Sequence, residues 1–224
     1  MLIDPTGHVG VCFYGGPAPG DADPNDTSTT TQLCLALDEN GLLGSRWRHF
    51  NNRAEDVQEA YDFILRVLAT AGPGEPVVIV GYSWGGGAAL ELAKMLNEAG
   101  DNPVTVDTLV TIDPVTNLRD LEPTVMGFGI LDAVIGTRKS PYNTSEVSNN
   151  VMRAINVYAE AQDFVTSEGI ENLQGALNVE GSNPEGGEAT HFSLMNVERG
   201  HLNPRTRDQI TRLMQRPWLP LNRR

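Results

Sequence analysis

An uninterrupted β-branched run, Val77 to Val80, passes without a spacer into Gly81-Tyr82-Ser83-Trp84-Gly85, and the chain turns helical a few residues on. Four such residues in a row are the pattern of a strand buried on both faces, which means the interior of a parallel sheet. Residues 88–99 read as a helix, with Gly100 as its stop. The serine between them therefore sits on a sharp strand-to-helix turn. Backbones crowd at such a turn, so the positions two before and two after must be tiny. Gly81 and Gly85 fill both, and Gly86 and Gly87 extend the clearance. The turn lifts a hydroxyl out of the sheet, at a helix N-terminus whose dipole and amides favour developing negative charge. Ser83 is the candidate nucleophile, and the amide of Trp84 is a candidate oxyanion donor. A glycine-rich turn of another α/β fold could share the string, but strand, serine, glycines and helix all occur here in the required order.

The rest of the chain alternates in the same way. Val9 to Tyr14 is a short apolar run ended by Gly15, Gly16 and Pro17, a buried strand entering a loop. Residues 21–31 are rich in Asp, Asn, Ser, Thr and Pro and read as loop or a helix approach. From Ala54, the residues Val57, Ala60, Tyr61, Ile64, Leu65 and Leu68 fall three and four apart on one helical face. Asn52 with Glu55 resembles a capping pair at its start, and Gly72-Pro73-Gly74 stops it. Leu109 to Ile112 is a further strand, and Ala154 to Tyr158 can be another. Residues 175–188 read as loop, and Asn203-Pro204 with Ile210, Leu213 and Met214 as a capped final helix. No internal repeat is visible. The expected class is α/β, with a mostly parallel central sheet flanked by helices.

Charge and cysteine count narrow the functions open to such a fold. Sixteen basic against 29 acidic residues give a formal charge of -13, the wrong sign for a nucleic-acid binder or for docking on anionic lipid by charge alone. No apolar run approaches the roughly 20 residues that span a bilayer, and the N-terminus lacks the basic start and apolar stretch of a signal peptide. Cys12 and Cys34 could form at most one bridge and are too few for a cysteine zinc site. Cys12, within an apolar strand, reads as a buried free thiol. The loop Asp21-Ala22-Asp23-Pro24-Asn25-Asp26 begins like a calcium loop, but its sixth position is Asp26 rather than Gly and its twelfth is Gln32 rather than Glu. A solvated acidic loop is the better reading, so no metal and no cofactor are expected.

The turn at Ser83 and its flanking elements resemble the α/β-hydrolase fold, over most of the chain from Val9 to Met214. Thr108 to Val115 (T-L-V-T-I-D-P-V) places Asp113 at the C-terminal end of the strand after the nucleophile. The lipase group that includes pancreatic lipase carries its acid in a similar strand-Asp-Pro sequence. The resemblance implies that Asp113 is the acid orienting a histidine, rather than an aspartate simply starting a turn; Asp107 and Asp120 do not end an apolar strand. Of His8, His49, His191 and His201, the order nucleophile, acid, histidine leaves the last two. His191, in A-T-H-F-S-L-M-N, resembles the histidine loop of bacterial lipase-like hydrolases and is favoured as base. His201, in R-G-H-L-N-P before the final helix, is the alternative. The second oxyanion amide is expected from Tyr14-Gly15-Gly16, which resembles the glycine-containing loop hydrolases place after this strand.

Two further segments bear on substrate and setting. Residues 125–136, within an insert at 118–150, are apolar and contain glycine, and fit either a lid over the site or a core helix of the fold. Leu2-Ile3-Asp4-Pro5-Thr6-Gly7-His8 resembles the end of Rhs-repeat proteins, where Asp-Pro-x-Gly precedes a variable toxin domain, although the same residues also make an ordinary turn. This division gives residues 1–8 as a residual N-terminal segment and residues 9–224 as the hydrolase domain. The resemblances imply a serine ester hydrolase, lipase- or phospholipase-like. It would act as an antibacterial toxin of a larger effector delivered by type VI secretion or a related system and opposed by a cognate immunity protein. The alternatives are a cytosolic carboxylesterase or thioesterase acting on a small soluble ester, and a non-catalytic hydrolase fold that binds a partner.

Overall fold

Strands and helices alternate in the computed structural model, which describes residues 8–15, 29–44, 46–71, 74–100, 102–115, 142, 144–160, 170–183, 185–195 and 202–216, with His191 and Phe192 as backbone only. The described elements are β1 (Val9–Phe13), α1 (Thr29–Glu39), β2 (Arg46–Phe50), α2 (Ala54–Ala71), β3 (Val77–Tyr82), α3 (Trp84–Asn97), β4 (Val106–Ile112), β5 (Val151–Tyr158), β6 (Leu177–Glu180), α4 (His191–Met195) and α5 (Pro204–Gln215). The six strands form one sheet in the order β2-β1-β3-β4-β5-β6, and every pair is parallel. The expected α/β architecture is the observed one. No described helix is long and apolar enough to cross a membrane.

Strand periodicity divides the core between the two faces of the sheet. Val77 and Ile79 pack with Val57, Ala60 and Ile64 of α2 and Leu92 and Leu96 of α3. Val78 and Val80, pointing the other way, pack with Leu33 and Leu37 of α1 and Ile210 and Leu213 of α5. Every residue of β3 is buried, as its unbroken apolar run requires of a strand covered on both sides.

The segment 21–31, read as loop or helix approach, enters a helix at Thr29, in line with the second alternative, and Leu33, Cys34 and Leu37 form its buried stripe at helical spacing. Several expectations need correction. Arg46–Phe50 and Leu177–Glu180 are the two edge strands, and neither is fully covered. Cys12 is not a free thiol. Side-chain alternation turns it toward α1, where Cys34 lies on the buried stripe, and the two form a disulfide with 6.7 Å between their Cα atoms. The cap of α2 also sits one residue later than the Asn52–Glu55 pairing. The Arg53 amide donates to Asp56 Oδ2 at 3.3 Å, the returning half of a capping box. Asn203 caps α5 as expected, accepting from the Arg205 amide at 3.0 Å with Pro204 in the first turn.

Candidate active site

Ser83 occupies the single residue between the end of β3 and the start of α3, with φ 55° and ψ -123°. This backbone is unusual for a residue with a side chain. Neighbouring bonds hold it on all sides. The Ser83 amide donates to the Ile112 carbonyl at 2.9 Å, and the Ser83 carbonyl accepts from the Gly86 and Val115 amides at 2.9 Å. The glycines around it are required by close approach. A Cβ at Gly81 would stand 2.1 Å from the Gly85 carbonyl oxygen, and one at Gly85 would stand 2.3 Å from that of Tyr14. Trp84 is the first residue of α3, so its amide lies in the turn that has no acceptor within the helix.

Asp113 follows β4 directly, at the same end of the sheet as Ser83 and on the adjacent strand, since Tyr82 and Ile112 are partners in register. It is buried, and its φ is 45°. Its amide donates to the Val157 carbonyl at 2.7 Å, and its Oδ1 accepts from the Ala159 amide at 3.2 Å. Among the described residues, Ser83 and Asp113 are the two non-glycine residues with positive φ.

His191 opens α4, and its side chain lies outside the described atoms, as does all of His201. The backbone of α4 can be placed. Leu194 presses on Gly181, whose amide donates to the Tyr158 carbonyl at 2.9 Å. Tyr158 ends β5, the strand beside Asp113's own, so α4 rests at the C-terminal rim of the sheet on the side of Asp113. Asn203 fastens it there, donating to the carbonyls of Ser193 at 2.9 Å and Ser182 at 2.8 Å.

The loop after β1 reaches the same rim, and here the expectation narrows. The Tyr14 amide donates to the Phe50 carbonyl at 3.1 Å, extending the β1–β2 ladder, so it is not a donor to an oxyanion. Of the loop residues expected to donate, Gly15 is the other one described, and Gly16 lies outside the described residues. A Cβ on Gly15 would stand 2.4 Å from the Tyr82 ring, which places this glycine against the residue immediately before Ser83.

Residues 2–172 match the profile of the alpha/beta hydrolase family, a span that holds Ser83 and Asp113 and ends before His191. The chain belongs to the alpha/beta hydrolase family. No curated protein matches the sequence of this hydrolase. Among solved structures it is similar to a hyperthermophilic esterase from the archaeon Pyrobaculum calidifontis, with 18% identity and a TM-score of 0.54 over 93% of this chain and 76% of that one. The thioesterase domain SrfTE, which cyclises the lipopeptide antibiotic surfactin, shares 14% identity at a TM-score of 0.51 over 94% of both chains. Against a hormone-sensitive lipase from a metagenome library the match spans 50% of this chain and 37% of that one, with 19% identity and a TM-score of 0.37. At these identities the likeness is one of fold.

The fold brings Ser83, Trp84, Asp113, Gly15 and the start of α4 to one end of the sheet. Residues 125–136, the acidic loop at 21–26 and the N-terminal segment 2–7 lie outside the described residues. Two residues at this end escaped the sequence reading. Asn52, just past β2, donates from Nδ2 to the Tyr14 carbonyl at 3.0 Å, and the Tyr142 hydroxyl donates to the Asn52 carbonyl at 3.0 Å. Nothing in the sequence around Tyr142 marks it, and Asn52 is masked by its resemblance to a cap. A cavity of about 440 Å³ bordered by Glu39, Asn40, Arg207 and Arg212 opens between α1 and α5 and shares no residue with this site.

Proposed function

We propose that this hydrolase cleaves carboxylic esters through Ser83, with Asp113 and His191 completing a triad. The observation that carries the reading is the pair of left-handed backbones at Ser83 and Asp113, on neighbouring strand ends of an alpha/beta hydrolase. Strain of this kind collects where function holds a residue in place. In the proposed cycle the histidine takes the Ser83 hydroxyl proton as Oγ attacks the acyl carbon. The amides of Trp84 and Gly15 hold the resulting oxyanion. The histidine then gives that proton to the departing alkoxide, and water, activated the same way, releases the acid and restores Ser83. His191 is preferred to His201 because α4, which it opens, rests at the rim that carries Asp113.

The finer reading is a lipase or phospholipase acting as the toxin domain of a larger Rhs-type effector. Residues 9–224 would form the domain, 118–150 its insert, and an immunity protein would neutralise it. Leu2–His8 motivates that setting. The Cys12–Cys34 disulfide supports it against a cytosolic esterase, because such bonds persist in oxidising compartments and are rare in the cytosol.

The test is chemical. A fluorophosphonate probe should label the wild type and leave Ser83→Ala unlabelled; a wild type that stays unlabelled would make this a non-catalytic binder. Asp113→Asn should fold and lose ester turnover by a factor on the order of 10³ or more. His191→Ala should be as severe and His201→Ala mild. The opposite order would move the base to His201, and an active Asp113→Asn would displace the acid to a later position.

A further inference from the structure

Asn52 has a place in the structure that capping does not explain. Arg53 and Asp56 close the start of α2 without it. It is only 5% exposed, and its side-chain amide crosses 38 positions of sequence to reach the Tyr14 carbonyl at 3.0 Å. The Tyr14 amide is held on the other side by Phe50 at 3.1 Å. Both backbone polar groups of Tyr14 are thus held, one by the end of β2 and the other by the segment that follows it.

That grip has a consequence one atom further on. A peptide unit is planar and trans, so its carbonyl and its N–H point in opposite directions. The plane that contains the Tyr14 carbonyl also contains the Gly15 N–H. On the β3 side the strand pairing that would hold such a plane has ended, since the register with β3 stops at Phe13 and Gly81. Glycine at 15 makes rotation of this peptide cheap. Rotated, it would present a carbonyl where an oxyanion needs a donor.

The geometry points to Asn52 as a positioning residue that holds the Tyr14–Gly15 peptide in the orientation offering the Gly15 N–H to the oxyanion. This inference rests on the proposed ester hydrolysis through Ser83. The Tyr14 carbonyl also lies against Gly85, where an added Cβ would meet it at 2.3 Å, so the peptide being held borders the turn that carries Ser83. Tyr142 completes the clamp by donating to the Asn52 carbonyl at 3.0 Å. Burial, with the charges of Asp56, Glu91 and Glu55, pushes the Tyr142 phenol well above its ordinary pKa, which favours the protonated, donating form.

The experiment uses the full chain and a soluble short-chain p-nitrophenyl ester. Asn52→Asp keeps the shape but sets a carboxylate against the Tyr14 carbonyl. It should lower kcat about 100-fold with KM nearly unchanged, the scale of losing one oxyanion donor. A boronic acid that forms a tetrahedral adduct on Ser83 should bind weaker by a similar factor. Asn52→Ala should fall less far, and Tyr142→Phe, which loosens the clamp without touching the loop, several-fold. Thermal unfolding identifies the folded variants; if Asn52→Asp does not fold, the other two carry the test. An unchanged kcat in the folded variants, or a loss confined to KM, overturns the positioning role. A wild type that neither turns over ester nor takes the fluorophosphonate instead overturns the ester-hydrolase reading.

Discussion

At Ser83 and Asp113 the backbone adopts a conformation that costs roughly 1–3 kcal/mol per residue, and neighbouring contacts must hold it there. Gly85 shows how little room that leaves. An added methyl would meet the backbone oxygens of Tyr14 at 2.3 Å and Phe13 at 2.6 Å, neither of which is the movable tip of a side chain. Gly85→Ala should therefore force β1 and the Ser83 turn apart, destabilise the fold by about 1–3 kcal/mol and abolish fluorophosphonate labelling; urea unfolding and the labelling assay measure the two. The sharp turn at Ser83 was legible from sequence because its steric demand falls on the sequence itself, as glycines at fixed offsets. The place of Asp113 at a strand end was legible because an apolar strand runs straight into it. Asn52 was not. Asn52 with Glu55 and Arg53 with Asp56 have the same three-residue spacing, and contacts distant in sequence, with Tyr14 and Tyr142, separate a cap from a clamp.

Among the elements, those with a strong apolar period were readable and the edge strands were not. β2 carries Arg46, Trp47, Arg48, His49 and Phe50, with exposed and half-covered positions alternating until Phe50. Such a strand has no apolar run because its edge faces solvent. β6, four residues long and incompletely covered, gives even less signal. The disulfide was missed for a different reason: pairing depends on where β1 and α1 meet, which a list of spacings does not contain. It closes a loop with a sequence separation of 22, for which the chain-entropy estimate is about 3 kcal/mol. The double variant Cys12→Ala/Cys34→Ala should unfold at correspondingly lower urea, and reductant should shift the wild type's midpoint but not the variant's. Equal midpoints for wild type and variant would mean that the bond adds nothing to stability.

For the whole molecule, the proposed lipase reading must reckon with a charge of -13. Attraction to anionic headgroups is unavailable, so a lipase-like chain needs apolar contact, and residues 125–136 are the apolar segment that follows Asp113 in sequence. Phe128→Asp or Ile130→Asp should reduce hydrolysis of aggregated phospholipid at least 10-fold more than hydrolysis of a soluble short-chain ester, measured side by side. Equal loss on both substrates would assign the segment to the core, and no loss on either would favour a soluble ester as substrate. The strand order carries a consequence of another kind. β1 precedes both of its partners in the chain, yet it lies between them, paired at Val9 to Arg46 on one side and to Val77 on the other. On a ribosome adding about 5–20 residues per second, its first edge can close once β2 emerges, while its second stays open until β3 follows. The Ser83 turn and the Tyr14–Gly15 loop meet only when that second edge closes. A nascent chain cut short before then carries an exposed strand edge, a hazard for aggregation; the event that completes the sheet around β1 brings the Ser83 turn to the Gly15 loop, and Asp113 and α4 join them only as the later strands emerge.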